Sequence, residues 1–423
     1  MRFIHAADIH LDSPLRGLAR YEGAPVEEMR AATRRSLENL VSLATDPEEE
    51  ICCVLIAGDV YDGDWRDYNT GLFFAKQMSV LRDAGIEVFL VRGNHDAESQ
   101  ITRFLKLPEN VKVFSASKPE TVCLESLGIA VHGQSFATRG VMNDLAASYP
   151  DAVPGFVNVA LLHTSAAGYE GHDVCAPCSV GTLGSKGYQY WALGHIHIRQ
   201  EICRPASPDV KVPWVVFAGN IQGRHVREAG PKGCTVVTVS DGEISSVESR
   251  ELDVARWYVC TVDVSAAKNT DDAMSMTRLA IEERVAESPD HLLALRVEIL
   301  GRCPANSALR TNAELYANQI RADATYAASG RVWVEKVKIL TQDERRPQSV
   351  EGWRDVFDSL SQIAESEDKQ RELLASLSDL KRRLPPEMRS GEDAINLDDP
   401  ALIAEALPDV EQILTARLLD KEA

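Results

Sequence analysis

From Phe3 to about Ser240 the chain alternates short apolar runs with longer amphipathic stretches. RFIHAAD is followed by VEEMRAATRRSLENLVSLA, ICCVLIAGD by TGLFFAKQMSVLRDAG, and then comes EVFLVRGNHD. Continuous apolar runs predict strands covered on both faces, and apolar positions recurring at helical spacing predict the helices between them. The βαβα order is that of an α/β layer fold. Later runs, GIAVHGQSF, FVNVALLH, YQYWALGHIH, WVVFAGN and CTVVTV, come at closer spacing with less helix between them. They predict a second sheet, hence a two-sheet β-sandwich flanked by helices.

Around Glu251 the texture changes. RWYVCTVDV, DDAMSMTRLAIEERVAES, LLALRVEILG, another helical stretch and RVWVEKVKIL predict a small α+β unit over residues 251–344. After Arg345-Arg346-Pro347 the pattern turns helical and polar, with Leu373, Leu374, Leu377, Leu380 and Leu384 at helical spacing, and likewise Ile413, Leu414 and Leu418. Stripes this short cannot be buried alone: they fold back on the body or grip another protein's helices. The expected division is 1–250, 251–344 and a helical C-terminal region at 345–423, in keeping with about 100–200 residues per domain.

Composition narrows the class. Hydrophobic residues at 44% and charged residues at 26% match a soluble globular protein, with no low-complexity tract or fixed-period repeat. Runs such as Ile51 to Ala57 are far short of the ~20 residues that span a bilayer, and MRFIHAADIH has neither an apolar h-region nor a small-residue cleavage site. Neither a signal peptide nor a membrane anchor is expected. Nine cysteines at irregular spacing argue against a complete disulfide framework and for a reducing cytoplasm. Cys175-Ala176-Pro177-Cys178 has the spacing of half a zinc or redox site, but no second pair lies at finger spacing, which favours plain loop thiols. The net charge of -19 weighs against a surface that attracts nucleic acid everywhere. Residues 1–250 hold 23 Lys+Arg against 31 Asp+Glu, and a divalent metal would cancel part of that excess.

One chemistry recurs at one kind of place. Asp8 and His10 in HAADIHLDS, Asp59 in IAGDVYDGD, Asn94 and His95 in VRGNHDAES, His163 in LLHTSAAG, and His195 and His197 in LGHIH all follow apolar runs. Open α/β sheets present their sites there. A single polar residue at a strand end means little, because loops are polar. Five separate strands ending in ligand-type side chains is rarer, and glycine directly precedes Asp59, Asn94 and His195, letting the backbone turn sharply. Residues two apart on a strand point to the same side, so His195 and His197 aim at one point or at two neighbouring ions. Carboxylate and imidazole without thiolate suit Mn²⁺, Fe²⁺ or Zn²⁺. The donors are enough for two ions and too many for one. Two ions ~3.5–4 Å apart activate a bridging water and clamp phosphoryl oxygens, and Asp59 is the natural bridging carboxylate.

DxH at the first strand, GDxxD at the second, GNHD at the third, a lone His later and then GHxH resemble, in full and in order, the calcineurin-like metallophosphoesterases. Within that superfamily, ADIHLDSPL, GDVYDGDWRDYNTGLFF, LLHTS, WALGHIH and GNIQGRHVREAGPKG look like the SbcD-type DNA-repair exonucleases, more narrowly their YhaO-like branch, and 251–344 resembles that family's capping domain. The resemblance implies that Asp8, His10 and His197 hold a first metal and Asn94, His163 and His195 a second, with Asp59 shared. It implies His95 as the catalytic acid or transition-state stabiliser, oriented by Asp96, with Asp62 orienting neighbouring groups. The expected cofactor is a pair of divalent ions, Mn²⁺ foremost, with Fe²⁺ or Zn²⁺ as alternatives. The expected partners are DNA and an SbcC-like coiled-coil ATPase subunit gripped through the C-terminal helices; a homodimer is allowed, and no membrane is involved.

Three functions compete: a Mn-dependent DNA exo/endonuclease acting in repair, a phosphomonoesterase or small-nucleotide phosphodiesterase on the same metals, and a non-catalytic scaffold subunit. Fold and ligands do not fix the substrate. The chain lacks the arginine that the superfamily's protein phosphatases carry after GDxVD and has GNHD where they have GNHE, which disfavours a phosphoprotein. A complete ligand set with His95 speaks against the scaffold. His5, His132, His172 and His225 are expected to be packing or surface residues, and Asp12 and Asp64 loop acids. Arg224 or Arg227 in the glycine-rich GNIQGRHVREAGPKG reaches a phosphate or belongs to an ordinary connection. Arg16, Arg20, Arg30, Arg34 and Arg35 border a DNA path or are solvated helix charges.

Overall fold

The structure, a computed structural model, describes residues 1–15, 18, 23–62, 67–99, 105–166, 174–206, 212–327, 330–343 and 354–383, with scattered positions from 397 to 414. Two compact units emerge, residues 1–258 with 288–295, and 259–287 with 296–423.

In the first unit β1 (Arg2–Ala6), β2 (Ile51–Ile56), β3 (Glu87–Leu90) and β4 (Val111–Val113) are parallel neighbours. Antiparallel β11 (Gly233–Ser240) and β12 (Glu243–Glu251) continue the sheet on the β1 side, giving the order β12-β11-β1-β2-β3-β4. The second sheet has the order β5-β6-β7-β8-β10-β9, built from β5 (Glu120–Leu124), β6 (Ile129–Gly133), β7 (Val157–His163), β8 (Tyr190–Gly194), β9 (Gln200–Cys203) and β10 (Trp214–Phe217). Its four middle strands are parallel.

The period-two alternation of a strand sorts these residues into layers. Phe3, Cys53, Leu55 and Phe89 of the first sheet meet Val131, Val159, Leu161 and Tyr190 of the second in one buried cluster. Their neighbours Ile4, Val54, Ile56 and Val88 turn the other way, under Leu37 and Leu40 of α1 (Val26–Thr45) and Phe74 and Met78 of α2 (Tyr68–Asp83). On the second sheet Leu162, Trp191, Leu193 and Phe217 pack outward with Tyr149 and Leu183. The two-sheet sandwich flanked by helices is the architecture expected from the pattern of apolar runs.

The expectation omitted four strands, β4, β5, β9 and β12. β4 is three residues long, too short for a periodicity. β5, β9 and β12 are sheet-edge strands, and β12 reads EISSVESRE with half its side chains in water; charge on an edge strand discourages pairing with other chains and hides the strand signal.

The second unit contains the helices Thr270–Glu287, Asn306–Thr311 and Ala313–Ala327 with the sheet β13-β14-β15, where β13 is Ala255–Asp263, β14 Leu292–Arg302 and β15 Val332–Gln342. The chain passes between units within β13 and β14. The leucines at helical spacing from Leu373 to Leu380 fall on two helices, Glu367–Ser376 and Ser378–Arg383, parted at Leu377. Leu374 is buried there, whereas Leu373 and Leu380 face solvent. Leu384, Ile413 and Leu418 lie outside the described residues, as do Asp64, Arg16, Arg20 and His172. Among the described residues no helix is long and apolar enough to cross a membrane.

Candidate metal centre

The ligand-type residues converge because parallel strands share a direction. Asp8 follows β1, Asp59 follows β2 and Asn94 follows β3; His163 ends β7 and His195 follows β8, all at C-terminal strand ends. Beyond the strands the loops stay paired: Asp8 N–H donates to Gly58 O at 3.0 Å and His10 N–H to Asp59 O at 3.0 Å, while Thr164 N–H donates to Gly194 O at 3.0 Å. Turning side chains inward from these loops requires unusual backbone. Asp8, His10, Asp59 and His195 have φ of 49°, 45°, 53° and 107°, a region costing roughly 1–3 kcal/mol per non-glycine residue and tolerated where the surroundings enforce it. Gly58 has φ 97°, and a Cβ there would lie 2.6 Å from His163 Nδ1, so the turn admits only glycine.

Two donor clusters result. Ligand atoms of Asp8, His10 and His197 fall within 4.8 Å of one another, and so do those of Asp8, Asp59 and His163. Asn94 Oδ1 is 2.9 Å from His163 Nε2, and Asp59 Oδ2 is 3.3 Å from the same nitrogen. His195 stacks edge-on to His163 with ring centroids 5.2 Å apart, and its N–H donates to both Asp8 oxygens. All seven residues picked from the sequence as metal ligands are therefore gathered at one place.

The protonation pattern tests whether cations fit. His10 donates Nδ1–H to Asp62 at 2.7 Å and His197 donates Nδ1–H to Glu228 at 2.6 Å. With each Nδ1 turned to a carboxylate, the two Nε2 atoms face each other at 3.2 Å, and Glu228 favours the protonated form of His197. Similarly, His163 donates Nδ1–H to Ala57 O at 2.9 Å, so its Nε2 meets the oxygens of Asn94 and Asp59 and needs a proton or a cation there. Lone pairs pointed at lone pairs are repulsive until a proton or metal cation lies between them. Carboxylates holding the far nitrogen of a ligating imidazole are the usual support of a metal site.

Charge gives the same answer. Asp8 and Asp59 are buried and Asp62 and Glu228 nearly so, and among the fixed cations Arg224 reaches Asp62 at 3.5 Å and Glu228 at 3.1 Å. Burial opposes the charge on Asp59, but the adjacent His163, His95 and His10 hold its carboxyl far below the usual range. Asp62 is likewise depressed, against burial, by His10 and Arg224, and Glu228 by Arg224 and His197. Burial opposes protonation of His163, yet Asp59 lifts it to about 9. A buried anionic excess of this kind is stable only with added positive charge, and the O/N donors suit a hard-to-intermediate divalent ion.

His95 lies at the rim with a third of its side chain exposed. Its N–H donates to Asp59 Oδ1 at 3.0 Å, and its ring is 5.1 Å from that of His10. The nearby carboxylate is Asp62, 3.7 Å from His95 Nδ1. Asp96, expected to orient His95, instead accepts the backbone N–H groups of Val60, Tyr61 and Gly93 at 2.9, 3.1 and 3.2 Å. Burial and the charge of Asp59 raise its carboxyl to about 6.

Other expectations sort themselves by contact. Asp12 is no ordinary loop acid: it is buried and bound by Arg34 through two bonds of 2.8 and 2.6 Å, with Thr70 donating to it as well. Arg34 is accordingly tied down and lies 4.9 Å over the Phe73 ring, no freely solvated helix charge. Cys175 and Cys178 are buried beside the end of β7, the latter 3.5 Å from Thr164 Oγ1. His5 packs between Tyr190 and Leu193, and His132 between Thr121 and Asn158, both structural. Sequence reasoning missed Glu228, which binds His197, Arg224 and Asn220 at once; an acid in a glycine-rich connection carries no local signal. A further group, Glu251, Asp253 and His291, is already bridged by Arg256, 2.6, 2.7 and 3.0 Å from them.

Residues 1–199 match the family model of the calcineurin-like phosphoesterases, and residues 257–342 match that of the metallophosphoesterase YhaO middle domain. The chain is 36% identical over 272 residues, 64% of each chain, to the uncharacterized metallophosphoesterase YhaO of Bacillus subtilis (strain 168). Over 295 residues, 63% of this chain and 60% of the relative, it is 24% identical to the DNA double-strand break repair protein Mre11 of Methanopyrus kandleri. The protein of that name from Sulfurisphaera tokodaii is 23% identical over 226 residues, 52% of this chain and 57% of the relative. The chain thus spans less than two thirds of the length of each of these relatives.

Proposed function

Because residues 1–199 belong to the calcineurin-like phosphoesterases, we propose that the chain is a two-metal phosphodiesterase acting on DNA, with Mn²⁺ as its metal. The observation that carries the metal reading is the pair of Nε2 atoms, of His10 and His197, 3.2 Å apart with both Nδ1 atoms turned to carboxylates. In this reading Asp8, His10 and His197 would hold one ion, Asn94, His163 and His195 the other, and Asp59 would serve both. Two such ions would supply Lewis acidity at phosphorus and a water of lowered pKa.

The chain's own residues do the rest. Asp62 and Glu228 fix the tautomers of His10 and His197, so that Nε2 is the nitrogen turned to the metal. His95, exposed at the rim and 3.7 Å from the Asp62 carboxylate, is in this reading the proton donor to the leaving oxygen. Asp96 holds the loops of Asp59 and Asn94 together through backbone amides. DNA as the substrate rests on the similarity to the Mre11 repair proteins, and the same similarity makes an SbcC-like ATPase the proposed partner of the helices after residue 345.

The test is purified protein with Mn²⁺ on end-labelled single- and double-stranded DNA, beside a panel of nucleotide monoesters. Cleavage of DNA with little monoester turnover is expected. Preferential hydrolysis of the monoesters would replace the nuclease reading with a phosphomonoesterase.

A further inference from the structure

A cavity of ≈ 370 Å³ lies against the outer side of the first sheet, walled by Phe74, Leu90, Leu107, Val111 and Val113. Protein interiors are close-packed, so a void of that size, within the range of small-molecule pockets, needs a reason. Apolar walls alone would leave it a dry packing defect. Two donors in its lining argue otherwise: Tyr61, almost fully buried, has a hydroxyl with no hydrogen-bond partner, and neither has Arg92 Nε, among the described residues. Each unmet buried group is destabilising until something satisfies it. Lys112, also in the lining, is already paired with Glu120 at 2.7 Å, whereas no carboxylate among the described residues pairs with Arg92. Arg92 and Lys112 are half-buried, so the cavity opens to solvent on their side.

Apolar walls, two donors wanting an acceptor and one uncompensated guanidinium describe a complementary molecule. We propose that this cavity is a binding site for a small aryl or branched aliphatic carboxylate, its body against Leu107 and Val111 and its carboxylate at Arg92 and Tyr61. The site is connected to the metal centre. Asp96 forms part of the lining and receives the amide protons of Val60 and Tyr61, next to Asp59, and of Gly93, next to Asn94. An occupant that moves Tyr61 or Arg92 therefore moves the loops of two proposed metal ligands, so carboxylate and metal affinities are linked. That linkage, unlike the binding itself, rests on the two-metal reading.

The experiment is isothermal titration of the full chain with 2-naphthoate, first with divalent metals removed. Binding at one site is expected, with a dissociation constant between about 1 μM and 1 mM. Leu107→Trp, which fills the void, should abolish it, and Arg92→Gln should weaken it about tenfold, the loss of one charge-assisted hydrogen bond. Cooperative melting verifies that each variant is folded; if Leu107→Trp is not, Val111→Phe takes its place. No binding by the wild-type chain, or equal binding by the folded cavity-filled variant, overturns the proposal. Repeating the titration with Mn²⁺ should change the affinity of the wild type; an unchanged wild-type affinity overturns the linkage. Failure of the chain to take up Mn²⁺ would sink the two-metal reading and leave the naphthoate result standing.

Discussion

The Nε2 atoms of His10 and His197 lie 3.2 Å apart while Asp62 and Glu228 hold the opposite nitrogens of the same rings. The relationship joins residues 187 positions apart and makes sense only with positive charge between the rings. Glu228→Gln keeps a hydrogen-bonding side chain but removes the charge that holds His197. It should lower Mn²⁺ affinity about 10–100-fold, as outer carboxylates of metal-bound histidines do, measured by competition with a fluorescent chelator. Unchanged affinity would show that Glu228 serves packing alone.

Asp59 and His95 should separate metal binding from chemistry. Asp59→Ala removes the carboxylate proposed to serve both ions and is expected to lose both metals by elemental analysis. His95→Ala should keep its metal content and lose about 10²–10⁴-fold in turnover of a chromogenic phosphodiester, the usual size of a general acid's contribution. Hydrolysis surviving in His95→Ala would remove that residue from the mechanism.

At Gly93 a Cβ would press on the Asp59 carboxylate and come within 2.8 Å of His163 Cε1. Backbone and ring on either side are fixed by hydrogen bonds, so the clash has no flexible end to absorb it. Gly93→Ala is expected to destabilise the fold by about 1–3 kcal/mol and to weaken metal binding as well. Urea denaturation and metal content together check this, and a wild-type result in both would contradict the packing described.

His5 makes stability pH-dependent. Burial holds its pKa down at about 3, against an ordinary value of 6.5. The unfolded chain therefore takes up a proton near 6.5 that the folded chain refuses, and stability is lost as pH falls from about 6.5 towards 3. At about 1.4 kcal/mol per unit, the loss amounts to a few kcal/mol at most. Urea unfolding at pH 7 and pH 5 should show a steeper decline in the wild type than in His5→Gln; parallel declines would mean that His5 is not the titrating group.

The C-terminal helices are proposed to bind the ATPase partner. Deleting residues 345–423 should preserve hydrolysis of a small chromogenic phosphodiester and abolish capture of a coiled-coil ATPase in a pull-down. Capture by the truncated chain would move the contact elsewhere.

The sequence alone determined the order of the buried parallel strands and long helices in the first 240 residues, because each writes a local periodicity into the chain. It also marked the ligand-type residues, since Asp8, Asp59, Asn94, His163 and His195 each follow an apolar run within a few positions. Edge strands such as Glu243–Glu251 escaped it, their apolar face being half solvated and their composition charged.

Only the tertiary structure decided which groups support the ligand-type residues. Glu228 rather than any neighbour in sequence holds His197, Asp62 rather than Asp96 stands beside His95, and Asp12 is committed to Arg34. The ≈ 370 Å³ cavity behind Asp96 likewise has no trace in local pattern, because its walls come from separate elements. Periodicity is a short-range property of the chain, whereas hydrogen-bond partners and voids are set by which elements the fold brings together.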